Sequence, residues 1–423
     1  MGYKQSKIDS DLWYKDAGDH YDYIAVYVDD ILVFSKRARE IMSQLQEKYK
    51  MKGVGRPEIY LGGNMGFHQP TNVLYMSAEK YTVSIVEKIE ELIQQELRHS
   101  NAPMDPSYHP ELDESEILGE EEHSRYRMLV GSAQWAITLG RLDIAYAVTT
   151  LARYSALPRK GHMEAIIRVF GYLKKTKSAK ILFDPRLPDY SGFTFAQHEW
   201  DGAYPGAQEE IDPELPEPKG KPVVLSVFVD ADHARDEVTR RSTTGILAFL
   251  NCTPIRWYCK RQATVESSTF GSEIVAARIA AEMIIELRYG LRALGVPILG
   301  PSYMFGDNQS VVTNTTLPSS SLKKKHNAIA YHKVRECIAA NIFGFCHIAG
   351  QINVADILTK PLGTQAHQRH ARPLLHQNPH QITDHGEYKE VTSDTATGMS
   401  WSSVTAEIRS DIETKRTETV LRA

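Results

Sequence analysis

Four carboxylates, each placed at the end of an apolar run or the start of a helical one, set the terms for the second half of this chain. Asp230 closes the run VVLSVFVD, Glu273 falls in the first turns of SSTFGSEIVAARIAAEMIIEL, Asp307 closes PSYMFGD, and Asp356 sits in NVADILTK. Apolar runs of this length, bounded by turn residues, read as buried strands. TTGILAFLN, TPIRWYCKRQ and IFGFCHIA read as further strands, and a Ser or Thr suits the cap of the long helix. Strand ends and helix starts can converge on one edge of a sheet. Carboxylates gathered there repel one another unless a cation lies among them. Hard divalent cations take oxygen ligands, and Mg²⁺ is the usual choice beside phosphates. Two such ions would activate a water and stabilise the leaving oxygen in phosphodiester cleavage. With 53 Asp and Glu in the chain, any one of the four alone is more often a surface acid. Their order and their strand contexts together point to a site.

The rest of the composition narrows the class. The chain has 423 residues, room for two or three domains, with 42% hydrophobic and 24% charged residues, as in ordinary globular proteins. A net charge of -4 excludes a protein coated in basic charge, so nucleic acid would be held by local patches. The four cysteines, Cys252, Cys259, Cys337 and Cys346, form no CxxC pair, which argues against zinc and for free buried thiols in a reducing compartment. No basic-then-apolar leader and no bilayer-length apolar run occurs. The expectation is a soluble intracellular protein, cytoplasmic or nuclear, with no membrane partner and no small-molecule cofactor.

Along the chain, IAVYVDDILVFS pairs two apolar runs around Asp29 and Asp30, which reads as a hairpin. A helix is expected from Arg37 to Met51, then a strand–turn–strand over residues 58–76, then a helix capped by Ser77. The acidic stretch from Glu111 to His123 reads as a solvated connector. Helices follow from Tyr126 to Lys177, interrupted near Gly140. Residues 185–222, rich in Pro and acids, read as a linker, 223–362 as a compact α/β unit, and 363–423 as a disordered tail with a transient helix near AEIRSDIETK.

FVDADHARDEVTRRSTTGILAFLN, SSTFGSEIVAA, GDNQS, KKKHNAIAYHKVRE and NVADILTKPL resemble, in order and spacing, the ribonuclease H domain of copia-type long-terminal-repeat retrotransposon polyproteins. YVDDILVFS resembles the reverse-transcriptase palm motif of the same family. YLGGNM, YRMLVGSAQWAITLGRLDIAYAV and RVFGYLKKTKSAKILF resemble its thumb and connecting segments. The resemblance covers about residues 1 to 363. It implies an α/β (α+β) chain: a reverse-transcriptase palm remnant over 1–95, a helical thumb and connection over 96–184, the linker, and a ribonuclease H-like mixed five-stranded sheet with flanking helices over 223–362. Asp230, Glu273, Asp307 and Asp356 match the metal-binding carboxylates of the nuclease, with two Mg²⁺ or Mn²⁺ ions implied. Asp29 and Asp30 match two of three polymerase carboxylates, expected rigid and partly desolvated at the hairpin tip; the alternative is an ordinary solvated turn. The family's third acid lies on an earlier palm strand. Asp9, Asp11, Asp16, Asp19 and Asp22 read as loop residues, so this chain alone is not expected to polymerise DNA. A partial palm would also leave strand edges and apolar faces exposed.

Departures from the family pattern are Phe270 in place of an acid, Glu266 in place of a small or apolar residue and expected to be solvated, and His233-Ala234 in place of an aromatic-small pair. His347, nine residues before Asp356, is expected at a strand end, where it is either a structural histidine or an aid to proton transfer. His326 and His332 are expected on a helix, facing nucleic acid or solvent. An RNA–DNA hybrid, the implied partner, is read through phosphates and 2′-hydroxyls. Candidate donors are Arg240, Arg241, Ser242 and Thr243; Lys260, Arg261 and Gln262; Asn308 and Gln309; and Lys323, Lys324 and Lys325. Lys174, Lys175, Lys177 and Lys180 form a further patch. The leading reading is a metal-dependent nuclease acting on RNA–DNA hybrids; the alternative is an inactive relic that at most binds nucleic acid. An integrase or transposase would show the order Asp, Asp, Glu, which this chain does not.

Overall fold

The computed structural model describes residues 1–69, 71–322 and 325–377. Its first sheet is antiparallel and runs in chain order: β1 (Lys4–Gln5), β2 (Leu12–Asp16), β3 (Tyr21–Tyr27) and β4 (Asp30–Phe34). Ile24 and Val26 of β3 and Ile31 and Val33 of β4 join one apolar cluster with helix α1 (Ala38–Gln46), which contributes Ile41 and Leu45. This helix is shorter than the sequence suggests. Asp16 and Asp22 are strand residues rather than loop residues. Asp22 is buried on β3 and faces Arg37 at 3.3 Å and His20 at 3.4 Å. Tyr27, Val28 and Phe34 stand exposed along the hairpin whose outer strand β4 is a sheet edge.

A second sheet joins β5 (Ile59–Tyr60), β6 (Gly63–His68) and β7 (Val73–Ser77) to a strand from much later in the chain, β8 (Lys180–Leu182). Between them lie α2 (Glu79–Ile93), α3 (Glu120–Thr138), α4 (Ala145–Ala152) and α5 (Lys160–Lys175). Their apolar stripes meet in one core that includes Ile89, Tyr126, Leu129, Val148, Ile166 and Phe170. Gly140 breaks the helical run because its φ of +101° is one that other residues avoid. Ser77 does not cap α2. It ends β7, and the Asn64 side chain of β6 accepts the Lys80 N–H at 2.9 Å instead. Nor is 111–123 simply a solvated connector. Glu120, Glu121 and Glu122 form the first turn of α3, where the helix dipole favours acids. Asp113 accepts hydrogen bonds from Tyr108 and Ser115.

The third sheet is mixed and five-stranded. Its order is β11 (Thr253–Arg261), β10 (Thr243–Leu250), β9 (Leu225–Asp232), β12 (Ser302–Gly306) and β13 (Phe343–His347). The first three pair antiparallel; β12 is parallel to both β9 and β13. Helices α6 (Thr269–Ala293), α7 (Gln309–Thr316) and α8 (Ala328–Ala339) cover one face, where Val227, Ile246, Ile274, Ala277, Ile284 and Val334 pack. This is the mixed α/β architecture that the resemblance implies.

The other face is covered by parts of the chain that the sequence marks as linker and tail. Tyr190, Phe193 and Phe195 pack on Phe305, and the Tyr190 hydroxyl pairs with Ser226 at 2.8 Å. Residues 185–222 carry no helix or strand, yet they are strapped down along their length. Arg335 of α8 lies 4.9 Å from the Trp200 ring. Glu209 takes Arg288 at 2.7 Å and Arg292 at 2.5 Å. Asp212 and Glu214 accept Lys7, which ties the first sheet to the strap. Aromatic residues scattered among prolines make a packed strap, not a tether. The tail from 363 is likewise partly folded: α9 (Thr364–Ala371) buries His367 and His370, and Leu374 and Leu375 join the core. Residues 378–423, including AEIRSDIETK, lie outside the described residues.

Candidate active site

Asp230 lies near the end of the central strand β9, Asp307 directly follows its parallel neighbour β12, and Glu273 lies in the first turn and a half of α6. The Ser268 hydroxyl caps that helix by accepting the Gly271 N–H at 3.2 Å. One oxygen from each of the three carboxylates lies within 4.8 Å of the others. Asp356 arrives from a separate direction, on a 3₁₀ turn over Val354–Leu358. Gly245, the register partner of Asp230 on β10, makes room for that turn: a Cβ there would meet the Thr359 methyl at 2.5 Å and the Ala355 carbonyl at 2.9 Å. Asn353 fixes the turn from below, donating to the Val229 carbonyl at 2.9 Å.

The electrostatics of the cluster follow from burial and like charge. Glu273 is pushed well up by burial, then by Asp230 and Asp307. Asp307 is raised by burial and by Asp230, with Lys360 and His347 opposing. Asp356 is raised to about 8 by burial and Asp230. Acids so placed accept the charged state readily only beside a cation, and all-oxygen donors suit Mg²⁺ or Mn²⁺. The residues present therefore fit a divalent ion.

Sequence reasoning passed over the groups that complete this arrangement. Lys360 Nζ lies 3.0 Å from Asp356 and 3.8 Å from Asp230. The Thr359 hydroxyl donates to Asp230. The signal was the i, i+4 spacing of Asp356 and Lys360 inside NVADILTKPL. Asp232, two residues beyond Asp230, is buried enough to be raised to about 6, with Arg235 3.7 Å away.

His347 ends β13 as expected, and its Nε2 lies 3.0 Å from the Asp307 carbonyl oxygen, beside the cluster. Glu266 is not solvated. It is buried, takes hydrogen bonds from Thr264 at 3.0 Å and Asn327 at 3.2 Å, and faces His326 at 3.3 Å. It thereby fastens the start of α6 to the start of α8. His332 is held by the Tyr204 hydroxyl at 2.6 Å.

The expected nucleic-acid donors divide. Arg240 and Lys260 are exposed and Arg241 is half-buried, on the β9–β10 loop and on β11. Gln309 is exposed at the start of α7. Arg261 is held by Asp236 at 3.3 Å. Ser242 and Gln262 are buried: Ser242 accepts the Ala234 N–H, and Gln262 donates to Thr244 and to the Ser272 carbonyl. Asn308 spends its side-chain oxygen capping α7 through the Val311 N–H. Lys325 is exposed, whereas Lys323 and Lys324 lie outside the described residues. In the patch of the connection, acids neutralise Lys174, while Lys175 and Lys180 meet uncharged partners. Lys174 pairs with Glu90 and Glu96, Lys175 bonds Asn101, and Lys180 lies over the Tyr75 ring.

Asp29 and Asp30 are brought to a hairpin tip, but they are exposed rather than partly desolvated. Tyr27 pairs with Asp30, so Val28 and Asp29 form the turn, with Val28 at a φ of +51°. Among the described residues no third His, Cys, Asp or Glu joins them in a group that could hold an ion.

Comparison with known proteins adds the following. Residues 1–101 match the family described as reverse transcriptase (RNA-dependent DNA polymerase). Over 380 residues, 88% of this chain, it is 26% identical to the Retrovirus-related Pol polyprotein from transposon RE1 of Arabidopsis thaliana. Over 351 residues, 81% of the chain, it is 25% identical to that from transposon TNT 1-94 of Nicotiana tabacum. The chain spans 23% of the length of each of these relatives. A solved LC11-RNase H1 in complex with RNA/DNA hybrid aligns with 32% of this chain and 93% of its own, at 12% identity and a TM-score of 0.27. The N-terminal RNase H domain of rv2228c from Mycobacterium tuberculosis aligns with 35% of this chain and 96% of its own, at 11% identity and a TM-score of 0.26. No helix among the described residues is long and apolar enough to cross a membrane.

Proposed function

Because the chain belongs to the copia-type retrotransposon Pol polyproteins, in their reverse-transcriptase and ribonuclease H part, we propose that it cleaves the RNA strand of RNA–DNA hybrids with Mg²⁺ or Mn²⁺. The observation that carries this reading is the convergence of Asp230, Glu273 and Asp307 within 4.8 Å at the edge of the mixed sheet. Those are the positions that match the family's nuclease carboxylates. Asp230, Glu273 and Asp307 would hold one ion, and Asp356 would join Asp230 around a second. The ions supply a water of lowered pKa and a counter-charge for the leaving oxygen.

The chain's own residues do the rest. β9 and β12 are neighbouring strands of one rigid sheet, so Asp230 and Asp307 are fixed relative to each other before any substrate arrives. Thr359 orients Asp230 by donating to it. Arg240, Arg241, Lys260, Gln309 and Lys325 are the donors left open for a phosphate backbone, so binding weakens as salt rises. Asp29 and Asp30 are the polymerase pair by resemblance, but DNA synthesis by this chain is not part of the proposal.

The test is cleavage of a labelled RNA–DNA hybrid by the full chain with Mg²⁺ or Mn²⁺, beside Asp307→Asn. The full chain is needed because residues 190–195 and 371–375 complete the core beneath the sheet. Metal-dependent cutting of the RNA strand, lost in Asp307→Asn, supports the proposal. No cutting by a chain that melts cooperatively and still binds the hybrid would leave the inactive relic as the reading.

A further inference from the structure

Resting on that metal-dependent reading, we infer that Lys360 is the resident counter-ion of the cluster: its ammonium stands where a second divalent ion would bridge Asp230 and Asp356, so that ion enters only by displacing it. The carboxylates fall into two groups. Asp230, Glu273 and Asp307 bring oxygens within 4.8 Å of one another, and Asp356 is outside that group. The space that Asp230 and Asp356 share is instead answered by Lys360, 3.8 Å from one and 3.0 Å from the other.

Position and charge support the same assignment. The backbone N–H of Lys360 bonds back to the Asp356 carbonyl at 3.4 Å, which keeps both residues on one turn. The side chain is a third exposed, so the amine sits at the rim of the cluster with water on one side. A flexible four-carbon stem can swing out without disturbing the sheet. The field of Lys360 also reaches Glu273 and Asp307, so it offsets charge across the whole cluster. An ammonium that neutralises the second position lets the metal-free chain fold with its acids already in place. The same ammonium competes with the second ion, while the first position has no such competitor.

The consequence is ordered metal uptake, one ion tight and the next weak. The test is Mn²⁺ binding to the full chain, by calorimetry and by the electron paramagnetic resonance of free Mn²⁺, for wild type, Lys360→Met, Lys360→Arg and Asp307→Asn. Lys360→Met should tighten the weaker site by roughly tenfold or more, since a nearby positive charge is removed, while the tighter site, whose Glu273 and Asp307 feel Lys360 only through its field, tightens less. Lys360→Arg keeps the charge and should retain the weak site. Asp307→Asn should weaken the tight one. Should Lys360→Met fail to melt cooperatively, Lys360→Gln carries the same expectation. Two Mn²⁺ bound by wild type with a second affinity that neither Lys360→Met nor Lys360→Gln tightens would overturn this inference alone. No Mn²⁺ bound by folded wild type would overturn the metal reading, and this inference with it.

Discussion

The side-chain amide of Asn353 donates to the carbonyl oxygen of Val229 at 2.9 Å. Its oxygen meanwhile accepts the Ala355 N–H at 3.2 Å. One fully buried residue thus ties the turn that carries Asp356 to the strand that carries Asp230. Asn353→Ala leaves a buried carbonyl and a buried N–H unpaired, at a cost of about 1–3 kcal/mol. The expected result is a lower melting temperature and a larger fall in hybrid cleavage than the stability loss explains, because Asp356 loses its position. Thermal melts and initial cleavage rates, taken well below the melting temperature of the variant, check this. Unchanged cleavage per folded molecule would sink the idea.

Asp307→Asn should separate activity from stability. Burial and Asp230 both disfavour the charged form of Asp307, so its charge is a burden on the metal-free fold. Replacing it with a neutral amide of the same shape relieves that burden. In the presence of a chelator the variant is expected to melt higher than wild type, and with Mg²⁺ or Mn²⁺ it is expected to cut nothing where wild type cuts. A lower melting temperature would mean that the Asp307 carboxylate stabilises the metal-free fold.

What the sequence made legible was the part written in strong local patterns. Asp230, Asp307 and Glu273 sit at the ends of apolar runs and at a capped helix start, and the fold brings those three together. What stayed hidden depends on tertiary contacts that no period marks. Glu266 looked solvated because nothing local predicts Asn327 and His326 beside it. Ser242 looked like a surface donor, but it is buried just before β10, its carbonyl accepting the Gln262 N–H and its hydroxyl the Ala234 N–H. Residues 185–222 looked like a tether because proline and acids dominate the composition; three spaced aromatics, Tyr190, Phe193 and Phe195, decide otherwise. Lys360 was visible in the motif, but its role needed the approach of Asp230 from a strand 130 residues earlier.

The strap makes its own prediction. Glu209 receives Arg288 and Arg292, and Arg288 is almost fully buried. Glu209→Ala strands that guanidinium with the Gly300 carbonyl and Ser302 hydroxyl as its remaining partners. The expected cost is about 3 kcal/mol. The strap should also become cleavable near residues 200–215 under limited proteolysis, while the mixed sheet keeps its protection. Melts that match wild type, together with an uncut strap, would show that the aromatic contacts suffice without this ion pair.

Stability in the absence of metal should depend on pH with a defined sign. Asp232 is raised to about 6 and Asp356 to about 8, both chiefly by burial. In the unfolded chain these acids ionise near pH 4. Between that value and the folded ones, the folded chain holds more protons than the unfolded chain, so its stability falls as pH rises. Their contribution is complete below about pH 4 and is lost as pH passes 6 and then 8. Glu209 acts in the other direction: its arginines lower it to about 2, so its contribution is present above the ordinary glutamate range and lost as pH falls toward 2. A metal-free chain should therefore be most stable in mildly acidic solution and lose stability toward pH 8. Mn²⁺ should reverse the upper limb, because it favours the ionised acids and binds the folded state alone. Denaturant melts across this range, with chelator and with Mn²⁺, test both limbs. A chelated chain whose stability climbs steadily from pH 5 to pH 8 would contradict the burial of these carboxylates.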